Sequence, residues 1–354
     1  MRMRVYLLGG LGRFDNSSGE GVSTYMYEIY HGLKASKSIK ADKIEYPIRD
    51  RTGGAYSWFR MAVMASFSYY SGADIIHKVD VKPINPIRKG RAKIVSTAHD
   101  FQPLIEPALD SDMTVSLKGR IRLALETRYS LRLMLKSDYL LANSTLTKND
   151  AVKLGFESKR AFVINHGIGR TYISRKIRRK EGKTCVVGYI GAFRSRKNVG
   201  FAIRAFKMTS HKKLEFRLWG SKRYEYEKLE SGAGDDKRIH FMGFAPAQKI
   251  VDTYDSFDVF VFPSLYEGMG YEILEAKARR IPVIIYKHAK IPEEVRRYCI
   301  EAKDEYAMAD AIEKIFSNGP DDKMLSKAMQ DARGFTWEKT ISKTIDAYGK
   351  ICEA

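Results

Sequence analysis

Two glutamates, Glu267 and Glu275, are the residues of this 354-residue chain whose type and spacing most directly suggest a ligand site. They lie in the stretch 258–285, DVFVFPSLYEGMGYEILEAKARRIPVII. An ionised carboxylate only accepts hydrogen bonds, so a pair of them can hold a ligand that presents several hydroxyl groups. Between the two lies a loop with Gly268 and Gly270, and glycine lets backbone N–H groups approach a ligand closely.

The elements that must position this pair follow from the hydrophobic pattern. The apolar run Val259–Phe262 predicts a buried strand that ends at the glycine loop. Glu272–Arg279 is rich in helix formers, and Ile281–Tyr286 is a second apolar run. Strand, loop, helix and strand make one βαβ unit, and open α/β sheets bind ligands at the carboxyl ends of such strands.

The start of the predicted helix, at about 270–271, favours an anion because its N–H groups point outward and the helix dipole is positive there. Glu267 is predicted to lie in the loop beside this anion, and Glu275 about one turn into the helix. Two carboxylates flanking a phosphate site make sense if the ligand also carries hydroxyl groups, as a nucleotide sugar does.

The composition describes a globular protein with one unusual feature, its charge. The length predicts about two domains, and 44% of the residues are hydrophobic. The formal net charge of +20 suits nucleic acid, an anionic membrane surface, or a field that gathers phosphorylated substrates. No zinc-finger, RNA-recognition or basic-zipper pattern accompanies the basic residues, so no nucleic-acid partner is expected.

A cytoplasmic protein is predicted. No segment reaches the roughly 20 apolar residues that span a bilayer, and the run Val5–Leu8 is too short for a signal peptide. Cys185, Cys299 and Cys352 are too far apart for a disulfide framework or a zinc site. The basic helix predicted at Ser116–Lys136 either lies on an anionic membrane or packs as a domain helix with a solvated face, and both alternatives stay open.

Strand-like and helix-like segments alternate along the chain, which predicts a doubly wound α/β architecture. A helix is predicted from about Val22, a charged linker at 167–183 and an amphipathic helix at 335–354. The predicted strands are Arg4–Leu8, Ile75–His77, Ile94–Ala98, Tyr139–Ala142, Phe162–Ile164, one within 184–193, Glu215–Trp219, Ile239–Phe241, Val259–Phe262 and Val283–Tyr286.

The ordered motifs of the chain resemble those of the retaining glycosyltransferases of family 4. They include GEGVSTY at 19–25, STAHDFQPL at 96–104, YIGAFRSRKNV at 189–199 and FVFPSLYEGMGYEILEAKARRIPVI at 260–284. The resemblance implies the GT-B fold, in which two Rossmann-like, doubly wound domains face a cleft. It divides the chain into an N-terminal acceptor-side domain (1–168), a linker (169–183), a C-terminal nucleotide-sugar-binding domain (184–335) and a C-terminal helix (336–354) that packs on the N-terminal domain.

The resemblance also implies roles for the matching residues. Glu267, which contacts hydroxyls of the donor sugar, and His99, which faces the reacting sugar, are the predicted catalytic residues. Glu275 is expected to accept hydrogen bonds from the ribose diol, and Arg196 and Lys197 to neutralise the donor phosphates. The remaining predicted donor-binding residues are Gly268, Met269, Gly270 and Tyr271, whose amides hold the sugar and pyrophosphate, and Gly19 and Gly21 of a loop that closes over the site.

The activity implied by the resemblance is transfer of a hexose from a nucleotide diphosphate sugar, UDP- or GDP-linked, to an acceptor hydroxyl. The acceptor is a glycan, a lipid-linked molecule or a small molecule. Configuration is retained, and no metal or other cofactor is expected, because cations and amides stabilise the departing diphosphate. Two alternatives remain open: a nucleotide-sugar hydrolase or epimerase of the same fold, and a non-catalytic protein that binds polyanions or nucleic acid.

The chain departs from the family pattern at two places. Arg279 and Arg280 stand where the family usually has a glycine after the motif helix, which predicts an altered loop. Ala192 stands where many members have an arginine, and Arg194 or Arg196 is predicted to take its place.

Three other polar positions are interpreted without a ligand. The sequence Asp110-Ser111-Asp112 matches an Asp-x-Asp metal motif, but it follows a proline-bearing loop rather than a buried strand, so no metal is predicted there. His77, at a strand end, is interpreted as structural, and His166 as a turn residue.

Overall fold

The computed structural model describes residues 2–9, 14, 21–45, 70, 72–79, 89–109, 117–177 and 184–354. The chain forms two compact units. The first comprises Met1–Ile105, Ile121–Gly167 and Thr336–Ala354, and the second comprises Glu106–Arg120 and Ile168–Phe335.

The described elements up to residue 163 are strands and helices, most of them in the first unit. In chain order they are β1 (Met3–Gly9), α1 (Gly21–Ala35), β2 (Ile39–Glu45), β3 (Ile75–Lys78), β4 (Lys93–Ala98), α2 (Gln102–Ile105), α3 (Leu117–Met134), β5 (Tyr139–Ala142), α4 (Thr145–Lys153) and β6 (Ala161–Val163). The six strands form one parallel sheet in the order β2-β1-β3-β4-β5-β6. Parallel neighbours need long crossover connections, which here include the helices.

The second sheet is built in the same way. In chain order its elements are α5 (Arg170–Ser174), β7 (Cys185–Ile190), α6 (Val199–Lys207), β8 (Leu214–Trp219), α7 (Tyr226–Ala233), β9 (Ile239–Gly243), α8 (Ile250–Asp255), β10 (Val259–Phe262), α9 (Tyr271–Ala278), β11 (Val283–Tyr286), α10 (Glu293–Arg296), β12 (Ile300–Ala302), α11 (Glu305–Asn318) and α12 (Asp322–Arg333). The parallel strand order is β12-β11-β10-β7-β8-β9. The predicted α/β class with two parallel, doubly wound sheets is confirmed.

The apolar run that predicted β10 is buried on both faces of the second sheet. Val259 and Val261 pack with α6, α7 and α11 in one hydrophobic cluster. Phe260 and Phe262 pack on the opposite face with α8 and α9. Because side chains alternate along a strand, a strand covered by helices on both sides appears as a continuous apolar run rather than as an alternating pattern.

The two strands that the sequence pattern missed are both at sheet edges. β2, IKADKIE, borders the first sheet, and β12, IEA, borders the second. An edge strand has one neighbour instead of two and is commonly short or charged, which prevents pairing with other chains. Neither therefore has the apolar run that identified the other strands.

The last helix, α13 (Trp337–Glu353), packs against α1 of the first unit. Its N-cap is Thr336, whose hydroxyl accepts a hydrogen bond from the N–H of Lys339. A Cβ at Gly32 of α1 would lie 2.0 Å from Cδ1 of Ile341, so any larger residue here would force Ile341 to shift. None of the helices in the described ranges is both long and apolar enough to cross a bilayer.

Candidate functional site

The loop between β10 and α9 is held by backbone hydrogen bonds from two directions. The N–H of Leu265 donates to the carbonyl of Arg196 at 2.8 Å, and the N–H of Glu267 donates to the carbonyl of Lys290 at 2.9 Å. Tyr266 and Lys290 also form an isolated parallel bridge. The side chain of Glu267 is therefore presented from a fixed backbone at the carboxyl end of β10.

The turn from this loop into α9 requires glycine at position 270. Gly270 is the N-cap and has φ +78° and ψ +55°, in the left-handed region that a Cβ disfavours. A Cβ at this position would meet Cγ1 of Val295 at 3.4 Å, so conformation rather than space demands glycine. The first-turn N–H groups of a helix have no intrahelical carbonyl partner, so the predicted amides of 268–271 lie where a helix offers donors to an anion.

Glu267 lies in a buried ion-pair cluster and is only 6% exposed. Its Oε1 is 3.0 Å from Nη1 of Arg196 and 2.8 Å from Nζ of Lys197. The hydroxyl of Ser264 donates to the same oxygen. Burial would raise the pKa of Glu267, but Lys197 and Arg196 together outweigh it and hold the pKa at about 2. The carboxylate is therefore ionised throughout the neutral range.

Lys197 joins this cluster to α9. Its Nζ donates to Oε1 of Glu272 at 3.0 Å and lies 4.8 Å from the centre of the Phe262 ring. Lys197 sits on a single 3₁₀ turn, Ser195–Lys197, that follows β7, the strand beside β10 in the sheet. Sequence reasoning missed Glu272 and Ser264 as partners. Their only signals were the position of Glu272 in the first helical turn and of Ser264 just after the strand.

Glu275 lies further along α9, and its carboxylate contacts two tyrosines that the sequence did not single out. The hydroxyl of Tyr254, on α8, donates to Oε2 of Glu275 at 2.8 Å, and the hydroxyl of Tyr172, on α5, also hydrogen-bonds to this carboxylate. Burial raises the pKa of Glu275 to about 8, and the charge of Glu272 acts in the same direction, whereas the two tyrosine hydrogen bonds lower it. Glu275 therefore changes its charge just above neutral pH.

The two arginines that depart from the family pattern have different structural roles. Arg280 has φ +58°, the left-handed conformation that glycine usually supplies at a helix end, and its guanidinium pairs with Asp322 at 2.5 Å. Arg279 is 0% exposed and pairs with Asp255 at 2.7 Å. The left-handed turn is thus kept with an arginine in it, and the preceding arginine enters the protein interior.

Many family members have an arginine where this chain has Ala192. Arg194 and Arg196, the two candidates to take its place, differ in their contacts. Arg194 stacks on the ring of Tyr224 at 4.5 Å and donates to its hydroxyl at 2.8 Å. Arg196 instead donates to Glu267 and to the carbonyl of Tyr266, each at 3.0 Å. Of the two, Arg196 is the one that the structure brings to the glutamate.

In the first unit, His99 follows β4 at the carboxyl edge of the sheet. Its Nε2 is 3.1 Å from the carbonyl oxygen of Val79, and its ring packs edge-on against Tyr25, with 5.2 Å between the centres. The side-chain amide of Asn143 donates to the carbonyl of His99 at 2.8 Å. Backbone and ring of the histidine are thus both fixed.

His77 is buried in a network that connects β3 and β4 with α13. Its Nδ1 is 2.6 Å from the hydroxyl of Tyr348, and its Nε2 is 2.7 Å from Oγ1 of Thr97. Burial lowers the pKa of His77 to about 3, and His99 acts in the same direction. His166 is also buried and stacks on the ring of Tyr25 at 4.2 Å.

Some predicted features lie at or beyond the limits of the described ranges. Gly21 is the first residue of α1, whereas Gly19 and the Asp110-Ser111-Asp112 motif lie outside the described residues. Within those ranges, no three or more side chains of His, Cys, Asp and Glu are grouped so that they could hold a metal ion.

Known proteins resemble this chain in part of its sequence and in its fold. Residues 184–318 match the family model Glycosyl transferases group 1. The O-antigen chain mannosyltransferase B of Escherichia coli is 26% identical over 170 residues, which cover 45% of this chain and 44% of that protein. The match therefore spans less than half the length of this relative.

Two solved structures resemble the chain over almost its whole length. Sucrose-phosphate synthase from Thermosynechococcus elongatus has a TM-score of 0.72 and 17% identity, with 99% of each chain covered. Anabaena HepE in complex with UDP and glucose has a TM-score of 0.67 and 15% identity, covering 99% of this chain and 100% of that one. At such identities the likeness concerns the fold, which is that of GT-B glycosyltransferases.

Proposed function

Because residues 184–318 match the family model Glycosyl transferases group 1, we propose that the chain is a retaining, metal-independent glycosyltransferase. It transfers a hexose from a nucleotide diphosphate sugar to an acceptor hydroxyl in the cytoplasm and uses no other cofactor. The observation that carries this proposal is the cluster of Glu267, Arg196 and Lys197 at the start of α9, with Glu275 further along the same helix.

The location of the cluster supports a nucleotide-sugar site. It lies at the carboxyl ends of β7 and β10, from which the strand order of the second sheet runs outward in opposite directions. Open α/β sheets bind nucleotides at this switch point. The side chain of Arg196 is 23% exposed, so it can exchange its contact with Glu267 for a donor phosphate.

The charges of the cluster support catalysis without a metal ion. The departing diphosphate gains negative charge, which Arg196, Lys197 and the amides at the start of α9 are placed to stabilise. Charge-assisted hydrogen bonds contribute about 1.5–3 kcal/mol each, and a helix N-terminus adds about 0.3–1 kcal/mol.

In the proposed reaction, the bond from the anomeric carbon to the phosphate oxygen breaks as the acceptor oxygen bonds to the same face of that carbon. The acceptor proton passes to the leaving phosphate, so configuration is retained. Glu267, ionised because its pKa is about 2, accepts hydrogen bonds from the donor-sugar hydroxyls. Glu275 accepts them from the ribose diol, and His99 is assigned to the reacting sugar because of its place in the AHD motif.

A UDP- or GDP-linked hexose is the proposed donor. The similarly folded HepE was solved with UDP and glucose, and the relative from Escherichia coli is named a mannosyltransferase. Both names concern hexoses, which suits the paired carboxylates as acceptors for several hydroxyl groups.

The outer face of α3 supports an anionic membrane as a peripheral partner. Ile121, Leu125 and Tyr129, four residues apart and hence on one face, are 54%, 63% and 50% exposed. Leu131 and Met134 are buried, so α3 also packs on the domain. The helix sequence LKGRIRLALETRYSLRLM contains five basic residues and one acidic residue, which suits a surface of anionic lipid.

Vesicle sedimentation tests this contact. We expect the protein to sediment with vesicles that contain phosphatidylglycerol and not with pure phosphatidylcholine, and Leu125→Ser to weaken binding. Tyr306→Ser, which changes a 74% exposed aromatic residue on α11, is the matched control and should bind normally. Equal binding of Leu125→Ser and wild type would refute the role of α3.

The donor site is tested by thermal shift with UDP, GDP and ADP, each with and without magnesium. At 100 times its dissociation constant, the correct nucleotide is expected to stabilise the protein by about 2.7 kcal/mol. The shift should persist in EDTA. No shift with any of the three would refute the proposed donor site.

Product analysis separates the alternatives. A hydrolase would release free hexose without an acceptor, and an epimerase would return a different nucleotide sugar. A polyanion-binding protein would bind DNA or RNA in a salt-sensitive manner that survives both Glu267→Ala and Glu275→Ala.

A further inference from the structure

The contacts behind Glu275 connect three helices through adjacent residues. Tyr254 and Asp255 are neighbours on α8, and Glu275 and Arg279 are one turn apart at α9. Tyr254 donates to Glu275 at 2.8 Å, while Asp255 accepts two hydrogen bonds from Arg279, at 2.8 and 2.7 Å. Tyr172 of α5 contacts both Glu275 and Arg279. Its hydroxyl bonds to Glu275, and its carbonyl accepts from Arg279 at 3.2 Å.

Arg279 uses each N–H of its guanidinium in this arrangement. Nε and Nη2 donate to Asp255, Nη1 donates to the carbonyls of Tyr172 and Arg175, and Nη2 also donates to the carbonyl of Lys176. The planar fork of arginine reaches these acceptors together, whereas the three donors of a lysine diverge from one point. Arg279 therefore ties the end of α5 to α8 and α9.

The two tyrosine hydroxyls provide more than packing. The rings of Tyr172 and Tyr254 are buried and meet edge-on, with 5.7 Å between their centres, so two phenylalanines would pack similarly. Both hydroxyls nevertheless reach the carboxylate of Glu275. Hydrogen bonds to a carboxylate favour its ionised form, whereas burial and the charge of Glu272 favour the neutral form.

We propose that Tyr172 and Tyr254 are positioning residues that aim the carboxylate of Glu275 at the ligand and keep it able to accept hydrogen bonds, with Arg279 placing Tyr172. This inference rests on the proposed function, because it takes Glu275 as the group that binds the ribose diol. It goes beyond that function by assigning the connecting helix α5 to the donor site, through residues outside the family motif.

The proposal has a pH signature that a purely structural role lacks. With a pKa of about 8, Glu275 is ionised in about a tenth of the molecules at pH 7. Loss of a tyrosine hydrogen bond raises this pKa. One unit of increase lowers the ionised fraction about ninefold at pH 7 but only about twofold at pH 9. Donor affinity should therefore be lost at pH 7 and largely recovered at pH 9.

The experiment is calorimetric titration with whichever of UDP, GDP and ADP stabilises the wild type. Dissociation constants are measured at pH 7 and pH 9 for wild type, Tyr172→Phe, Tyr254→Phe, Arg279→Lys and the double variant Tyr172→Phe/Arg279→Lys. We expect each tyrosine variant to bind about tenfold more weakly at pH 7 and about twofold more weakly at pH 9. Arg279→Lys should behave like Tyr172→Phe, and the double variant should be no worse than either.

Two control variants and a nucleotide analogue show whether the effect is specific to the contacts of Glu275. Tyr226→Phe removes a hydroxyl that bonds to Glu230, and Arg238→Lys alters an arginine that holds Asp236 and the carbonyl of Thr209. Neither control touches the site, so both should bind as wild type does. With the 2′,3′-dideoxy form of the nucleotide, the difference between wild type and Tyr172→Phe should disappear.

Glu275→Ala separates the failure of this inference from the failure of the proposed function. Loss of binding in Glu275→Ala with unchanged affinity in both tyrosine variants would overturn the positioning role alone, as would an equal loss at pH 7 and pH 9. Normal nucleotide binding by Glu275→Ala would overturn the ribose assignment and this inference with it. If Arg279→Lys does not fold, the two tyrosine variants decide the outcome.

Discussion

Replacement of Lys197 by methionine is expected to destabilise the ligand-free protein by about 2–3 kcal/mol at pH 7. The ammonium of Lys197 lies 2.8 Å from Glu267 and 3.0 Å from Glu272, and its side chain is only 7% exposed. Methionine preserves most of the apolar stem and removes the charge. Arg196 remains beside Glu267, so the variant loses one of the two cations that compensate a buried carboxylate.

The magnitude follows from the pKa of Glu267. Its value of about 2, against 4.5 for an ordinary glutamate, corresponds to about 3 kcal/mol of stability at neutral pH. Because the folded-state pKa is lowered, this contribution is fully present above pH 4.5 and is lost as the pH falls toward 2. At pH 3 less than half of it, about 1 kcal/mol, remains. Lys197 is the leading favourable contact, so its removal takes away most of the total.

The assay is urea unfolding, followed by far-ultraviolet circular dichroism, of wild type and Lys197→Met between pH 7 and pH 3. The difference in unfolding free energy should shrink by more than half across this range. Lys277→Met is the matched control. Lys277 is equally buried, but its ammonium donates to the backbone carbonyls of Val295 and Arg297, so its effect should not depend on pH. A pH-independent difference for Lys197→Met, or none, would refute the ion-pair reasoning.

Three further predictions follow from the structure. In steady-state kinetics, Glu267→Ala should mainly lower turnover, whereas Glu275→Ala should mainly raise the KM for the donor. Unchanged turnover in Glu267→Ala would contradict the role assigned to Glu267. In thermal unfolding, Arg280→Gly should raise the unfolding free energy by about 1 kcal/mol because glycine relieves the left-handed φ of +58°. Arg280→Ala, measured in the same way, should not raise it. Tyr348→Phe should lower the melting temperature and the unfolding free energy, the latter by about 1–3 kcal/mol, because a buried ring nitrogen of His77 loses the hydroxyl 2.6 Å away. An unchanged melting temperature would argue against this network.

The local sequence pattern was sufficient to predict most of the fold. Central strands such as β10 are buried on both faces, so their apolar runs stand out in the sequence. The edge strands β2 and β12 were missed because an edge needs no such run. In the stretch at 167–183, which is interpreted as a linker from its charge, Arg170–Ser174 form α5, and the carbonyl of Tyr172 accepts a hydrogen bond from Arg279.

The candidate site could likewise be predicted only in part. Glu267, Gly270 and Glu275 belong to one βαβ unit, in which the order along the chain determines the order in space, so their arrangement could be predicted from spacing. The partners of the two glutamates could not be predicted. Lys197 is 75 positions from Glu272, and Tyr254 is 21 positions from Glu275.

The sequence by itself therefore determined that two carboxylates lie beside a helix start at the end of a buried strand. Only the tertiary structure decided their protonation. Glu267, in the loop before α9, has Arg196 and Lys197 beside it and stays ionised, whereas Glu275, within α9, is buried against the hydroxyls of Tyr172 and Tyr254 and titrates near pH 8. The physical reason is that a pKa depends on burial and on charges within a few ångströms, and those neighbours come from strands and helices that are distant in the chain.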